Sequence, residues 1–465
     1  MILVLVGFLA LFLSCTLPWI VLARRGGKRN LLEPIFPVSL FFILFFGLKP
    51  LMILIGLPDQ FLPAVIDGII EQEPDFAGTV LVAAAIAFFA LWTGYVQPLG
   101  RKLGKLLWKL AVRAMRRDDQ RLRLTRTAML GTIGSASVVY MIVSGWIHPA
   151  LRGNTYETLL AWLPSAMTTV TSFLWIALIA LLILIRSGHG QMHGSIWLRA
   201  GPILLLAGFV GIGFVLPFSL TGSRFAVVAM LISLSTVYYY TTTRRRIRIR
   251  AAAIGIVMLL GGFYLAESYR LGAAPNASDA AGPGLLAAVR AVANMSQRMV
   301  GFEALAVVMA LTPDVLPPMM GKTMLGLIYG WVPRFLWHDK PAISPAYYFT
   351  TSYLGEAPDT PNSAAMTVLG DLYMNFLWPG LVVGMFVVGV VLRAFAELAA
   401  RCYDGDKRAL LLYGVLMPYL VNMEWSLALW IVGIIKVLVL ALIASRLVFE
   451  KAEWSGKAAN SRAVT

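Results

Sequence analysis

Charge is scarce in this chain, and the negative sign is the scarcer of the two. Only 13% of its 465 residues are Asp, Glu, Lys or Arg, with 23 acids against 39 Lys plus Arg. Soluble domains carry about 25% charged residues, so an ordinary water-soluble globule is excluded. There are 2 cysteines, Cys15 inside an apolar run and Cys402 in a stretch expected to face the cytoplasm. That placement leaves no role for a disulfide. Histidine occurs 4 times. His189 and His193 are spaced for one helix face, but Gly188, Gly190 and Gly194 break that helix and no third ligand is near. No Asp-x-Asp pair, His-Glu-x-x-His motif or Cys/His cluster lies on the outer side of the expected topology. Neither a metal nor any other cofactor is therefore called for.

What the chain has in excess is apolar surface. It is 59% hydrophobic with a mean hydropathy of +0.78. Runs of about 20 apolar residues recur along its length, each able to cross a bilayer. The expected fold is an all-α polytopic membrane protein. A net charge of +16 invites a nucleic-acid partner, but the excess sits mostly in short loops between spans. That is where the positive-inside rule puts it, so membrane lipid is the expected partner and nucleic acid is not.

Taken in order, residues 1–97 read as three spans, about 2–23, 35–57 and 77–97. The first apolar run lacks a basic n-region and is followed by Arg24, Arg25, Lys28 and Arg29, so it reads as an uncleaved span with its N-terminus outside. The loop holding Asp59, Asp67, Glu71, Glu73 and Asp75 is then external. Residues 98–126 form a basic amphipathic helix, with Leu99, Leu103, Leu106, Leu107, Leu110 and Ala114 on one face, suited to the inner headgroup layer. Residues 127–267 hold spans four to eight, about 127–148, 164–186, 201–220, 225–243 and 251–267. The run Arg244-Arg245-Arg246-Ile247-Arg248-Ile249-Arg250 is the strongest cytoplasmic marker and puts Arg224 on the opposite side. Residues 268–365 form an extracytoplasmic cap, with a flexible connection over Ala273–Gly284 and helices over 285–311 and about 321–331. Residues 366–447 return as spans nine to eleven, about 366–400, 409–422 and 427–447, and 448–465 are a cytoplasmic tail. The expected count is eleven, with no convincing internal repeat.

The cap concentrates candidate chemistry. Arg224, Arg290, Arg298, Arg334 and Lys340 all fall outside, where basic residues are otherwise rare. Arginine suits bidentate contact with phosphate, and lysine adds a point charge. Each could instead snorkel or pair with an acid. The run Trp331-Val332-Pro333-Arg334-Phe335-Leu336-Trp337-His338-Asp339-Lys340-Pro341 interleaves aromatics with charge. Glu303, Asp339, Glu356 and Asp371 are candidate general bases, and His338 could serve near neutral pH. Tyr373 and Asn375 accompany Asp371 near the outer end of span nine. Arginines and aromatics approached from the bilayer suit a lipid-linked diphosphate, whose tail needs the membrane and whose head needs cations.

Three stretches carry a family resemblance: Thr221-Gly222-Ser223-Arg224, the run Val332–Pro341, and Leu369-Gly370-Asp371-Leu372-Tyr373-Met374-Asn375-Phe376. They resemble the bacterial oligosaccharide repeat-unit polymerases (the Wzy class, O-antigen and exopolysaccharide polymerases). The chain departs from that pattern in having Asp371 where a Glu-type acid is usual, and Leu377 where Gly would follow Asn-Phe. The resemblance implies a GT-C-like glycosyltransferase of the inner membrane, working without metal. It would move a growing glycan from undecaprenyl diphosphate to another lipid-linked repeat unit at the periplasmic face, and it leaves room for a chain-length regulator as partner. By implication Arg224, Arg298 and Arg334 hold the donor diphosphate with Lys340 beside them. A glycan ligase using the same donor is the nearest rival. A transporter or flippase of lipid-linked glycans is a rival of another class, expected to show inverted repeats and midplane ionisable residues. Here only Lys436 is clearly mid-span.

The loop charges make a direct prediction. A cysteine introduced at Ser278 should react with an impermeant thiol reagent on spheroplasts, whereas one at Asp119 should stay unlabelled until the membrane is opened. Labelling of position 119 from outside would reverse the topology.

Overall fold

The computed structural model of the chain describes residues 2–24, 32–48, 50–51, 74–115, 122–143, 162–188, 196–215, 224–242, 300–332, 336–337, 339–341, 343–357 and 365–449. About 85% of these are helical and none lies in a strand. Six helices among the described residues are long and apolar enough to cross a membrane. Four shorter apolar helices, Ile35–Leu48, Gly201–Gly213, Val228–Thr241 and Gly301–Leu311, accompany them. The chain is all-α and membrane-embedded, as its composition requires. Expected span eight, the Ala273–Gly284 connection and residues 285–299 lie outside the described residues.

In chain order the helices are α1 (Ile2–Arg24), α2 (Ile35–Phe42, continued by a π turn Ile43–Leu48), α3 (Pro74–Val96), α4 (Pro98–Met115), α5 (Leu124–Val143), α6 (Trp162–Gly188), α7 (Ile196–Val210) and α8 (Arg224–Thr241). They continue with α9 (Gly301–Leu311), α10 (Gly326–Tyr329, after a 3-10 turn Lys322–Leu325), α11 (Ala346–Tyr348, running into a π turn Phe349–Tyr353), α12 (Thr367–Tyr403), α13 (Lys407–Val421) and α14 (Leu427–Val448).

Glycine sets the closest helix approaches. In a bilayer the hydrophobic effect does not drive helices together, so small residues that let backbones meet carry the packing. A Cβ on Gly94 of α3 would lie 2.9 Å from the Phe386 carbonyl carbon, and one on Gly389 of α12 would lie 2.8 Å from that of Leu91. These two helices cross backbone to backbone at the centre of the molecule. On the other side of α3, a Cβ on Gly78 would come within 2.5 Å of the Leu3 carbonyl carbon in α1. A second group gathers α6, α8 and α13, where Ser233 donates to the Gly414 carbonyl at 2.7 Å.

Helix α4 is described as far as Met115, and Leu124–Arg126 open α5. It also has a third face. Leu99, Leu103, Leu106 and Leu110 are exposed, as a membrane-facing stripe should be. Gly100, Gly104, Trp108, Ala111 and Met115 are buried. A Cβ on Gly100 would meet Arg393 Cβ at 2.6 Å, and one on Gly104 would meet Glu397 Cγ at 2.7 Å. The helix is therefore seated on the end of α12, with Arg101 paired to Glu397 at 3.5 Å and Arg401 over the Trp108 ring.

The segment that leads into α2 is held from two sides. The Tyr413 hydroxyl donates to the Leu32 carbonyl, and that of Tyr95 donates to Glu33 Oε2 at 3.0 Å. Burial pushes the Glu33 carboxyl above the usual carboxylate range, opposed by the Tyr95 hydroxyl and by the charge of Arg393.

Expected span nine is not one straight helix. At Phe376 and Leu377 the backbone leaves helical geometry, with Leu377 at φ 55 and ψ −145. Beyond the break the chain folds back on itself. A Cβ on Gly380 would lie 2.6 Å from the Leu372 carbonyl oxygen, and one on Gly384 would lie 2.6 Å from Leu372 Cδ1. In an unbroken helix residues 372 and 384 would stand about 18 Å apart along the axis. Thr367–Asn375 is thus a short re-entrant arm laid against the helix that starts at Trp378. The latter is about 39 Å long and crosses the membrane unaided.

The glycine crossing is testable. Gly94→Val should cost about 1–3 kcal/mol through overpacking, read as a lower melting temperature of the detergent-purified protein. Gly208→Ala, where nothing lies within 4 Å of the added methyl, should melt with the wild type. Equal melting of both variants would refute the close approach of α3 and α12.

Candidate functional site

A broken helix in apolar surroundings has a specific debt. The last carbonyls of the first arm lose their intrahelical partners and must find donors elsewhere. The chain meets it with the segment that follows the Pro317-Pro318 pair. The Met319 N–H donates to the Met374 carbonyl at 3.0 Å, and the Met320 N–H to that of Asn375 at 3.2 Å. Met320 and Gly321 adopt positive φ, 48 and 85, which turns their amides inward.

Side chains complete the join. Asp371 is 0% exposed. Its Oδ1 accepts from the Thr323 hydroxyl at 2.7 Å and from Asn375 Nδ2 at 3.1 Å. Its Oδ2 accepts from the Leu427 N–H at 2.8 Å, at the first turn of α14, where a carboxylate also suits the helix dipole. Asn375 donates to Thr323 Oγ1 at 2.6 Å and accepts from the Gly321 N–H at 2.9 Å. The Thr367 and Val368 amides donate to the Glu424 and Met423 carbonyls, both at 2.9 Å. One carboxylate and one amide thereby join the re-entrant arm, the 319–323 turn and the start of α14.

From Thr323 the chain runs along α14. A Cβ on Gly326 would touch Ala428 Cβ at 3.1 Å, and one on Gly330 would meet Val432 Cγ2 at 2.9 Å. Lys340 is buried and its Nζ donates to the Val332 carbonyl at 2.7 Å and that of Gly330 at 3.4 Å. It fastens the end of the Trp331–Pro341 run back to its start and to the end of α10. Around this join lies an apolar rim of Met320, Leu325, Ile328, Leu336, Phe376 and Trp378, with Met320 75% and Ile328 74% exposed.

The expected site residues divide as follows. Asp371 and Asn375 come together in the join, and Tyr373 sits beside it, buried, with its ring edge-on to Trp378 at 5.9 Å. Trp331 and Trp337 are part-exposed on the rim. Trp331 Nε1 donates to the Leu327 carbonyl at 2.6 Å, and Trp337 meets Tyr329 edge-on at 6.1 Å. Asp339 is exposed, Glu356 is half-buried, and Glu303 is buried in the first turn of α9, away from solvent. Arg224 opens α8. Arg290, Arg298, Arg334 and His338 lie outside the described residues. No group of three or more His, Cys, Asp or Glu among the described residues could hold a metal ion.

Thr323, Gly321 and the Leu427 amide are the participants the sequence reading did not single out. Their partners lie about fifty residues away in the chain, beyond the reach of any spacing rule. No family model, no curated protein and no solved structure matches the chain.

The join predicts its own cost of disruption. Thr323→Val removes a donor to Asp371 and an acceptor of Asn375, both buried, and should destabilise by about 1–3 kcal/mol. Thr323→Ser keeps the hydroxyl and should recover most of the loss. Thermal unfolding of the two variants in detergent decides the matter, and an unchanged melting temperature for Thr323→Val would show that the hydroxyl holds nothing.

Proposed function

We propose that the chain is a GT-C-like glycosyltransferase that polymerises oligosaccharide repeat units carried on undecaprenyl diphosphate, in the manner of the Wzy-class polymerases it resembles. In this reading it works at the periplasmic face of the bacterial inner membrane. The glycan moves from its lipid diphosphate to the sugar hydroxyl of an acceptor unit, and lipid diphosphate is the leaving group.

The observation that supports this best is that one of the stretches that carry the resemblance is bonded to the segment that leads into another. The Leu369–Phe376 stretch is bonded to the 319–323 turn, which leads directly through α10 into the Trp331–Pro341 run. A second observation concerns Leu377, which stands where the family pattern has Gly. Its φ of 55 with ψ of −145 is a conformation that favours glycine. The backbone keeps the shape the pattern asks for although the side chain departs from it.

The chemistry then assigns roles. Stabilising charge on the departing diphosphate is the main catalytic task, and Arg224, Arg298 and Arg334 are the groups for it. Deprotonation of the attacking hydroxyl is needed only late in an oxocarbenium-like transition state. His338 or Asp339 suits that task better than Asp371. The Asp371 carboxylate is bonded to Thr323, Asn375 and the Leu427 amide, so we assign it and Asn375 to positioning the motif. Trp331 and Trp337 offer ring surface for sugar or lipid.

Purified protein incubated with lipid-linked repeat units should give a ladder of products. A single transfer to a foreign acceptor would favour the ligase, and no transfer would remove the glycosyltransferase reading. In a polymerase-deficient host, Arg334→Ala at normal membrane level should lose about a hundred- to a thousand-fold in rate, the cost of one preorganised donor to a developing anion. Arg334→Lys should recover only part of it. Full-length polymer from Arg334→Ala would free that arginine of the diphosphate role.

A further inference from the structure

Lys436 has no place in the function derived above. It lies on α14 about 14 Å from Leu427 along the axis, near the middle of a hydrocarbon layer about 30 Å thick. Its side chain is exposed, on the surface shared with the exposed Ile435 and Val439. Neither the Arg101–Glu397 nor the Arg408–Asp406 ion pair includes it. An ammonium at that depth without a counter-charge is costly, and such residues mark sites where an anion or a proton is handled.

The neighbouring chain supplies the other half of the observation. Gly326 rests on Ala428 and Gly330 on Val432, so the 322–330 segment descends α14 in steps of one helical turn. The next turn on that face brings Lys436. Lys340 is bonded to the carbonyls of Gly330 and Val332, at the foot of this descent. The Lys340 ammonium, 3.4 Å from the carbonyl of Gly330, which rests on Val432, thus lies on the side of α14 that carries Lys436 one turn further on. A cation at that depth in an apolar setting is relieved by an anion beside it. Leu325, Ile328 and Leu336 are exposed close by, with Trp331 and Trp337 beside them. The place is therefore open to an apolar tail as well as to a charged head.

We propose that Lys436 and Lys340 together hold the phosphate group of a membrane lipid, which enters sideways from the bilayer along α14. Lysine suits such a site, since a compact, mobile point charge can follow a headgroup that an arginine fork would have to meet in one orientation. The site does not depend on the glycosyltransferase reading. Its phosphate could come from the diphosphate of a polyprenyl-linked substrate or from an ordinary phospholipid.

Native mass spectrometry of the full-length protein in detergent tests this with three added lipids: undecaprenyl phosphate, undecaprenol and phosphatidylglycerol. Undecaprenyl phosphate should form adducts with the unaltered chain, whereas undecaprenol, with the same tail and no phosphate, should not. Equal adducts for these two would overturn the proposal without recourse to any variant. Lys436→Gln should weaken phosphate-lipid binding about tenfold, as expected for loss of one charge-assisted contact, and Lys436→Arg should keep most of it. Unchanged binding by a folded Lys436→Gln chain would show a lysine that merely snorkels, and would also overturn the proposal. Preference for undecaprenyl phosphate over phosphatidylglycerol would assign the site to substrate, and the reverse preference to a structural phospholipid. Failure of polymerisation assays would leave these binding results standing.

Discussion

A backbone that breaks its helix inside an apolar medium must satisfy every freed carbonyl from within the protein. That constraint, applied at Phe376 and Leu377, organises one end of this molecule. The carbonyls of Met374 and Asn375 are met by amides of a turn about fifty residues earlier, and Asp371 reaches the first amide of α14. Three segments with no sequence proximity are tied by groups that cannot reach water. Because half-satisfied buried networks are costly, such a join is all or nothing, and the surfaces it carries inherit its rigidity.

The join also explains the form of the segment expected to be a cap. A free cap would rise into solvent and fold over the bundle. Here Gly326 and Gly330 bring the chain down along α14, and Lys340 closes it by capping carbonyls. The aromatic run is held beside the lipid-facing surface, and its apolar side chains are exposed where lipid would cover them. A ligand that is half lipid and half polar would find both characters within a few residues.

Much of this was legible in the sequence, and the part that was not has a common cause. The apolar runs gave α1, α3, α5, α6 and α14 nearly to their ends, because helix length in a membrane follows bilayer thickness. The pairing of Asp371 with Asn375 follows from a four-residue helical step. The break at Leu377 was hidden, since leucine is a strong helix former and Pro379 can sit in the first turn of a helix without marking a reversal. Thr323 could not be found, because its importance lies in what it meets. The leucine stripe of α4 gives no hint of its glycines' role, whereas Gly100 and Gly104 are its contact with α12. Mid-span Lys436 stood out at once by type and depth, but only the neighbouring fold of 322–341 gave it company.

That seat of α4 on α12 has a mechanical consequence. A surface helix attached only by a linker can roll until its apolar side finds the headgroup level, independent of the bundle beside it. Glycine contacts and the Arg101–Glu397 pair remove that freedom, so the leucine stripe points in one direction fixed by α12. The level at which those leucines would settle in a leaflet is then passed on to the long helix itself. In effect α4 is a keel: it sets how deep the bundle rides, and with it how far the re-entrant arm at the opposite end stands from the water.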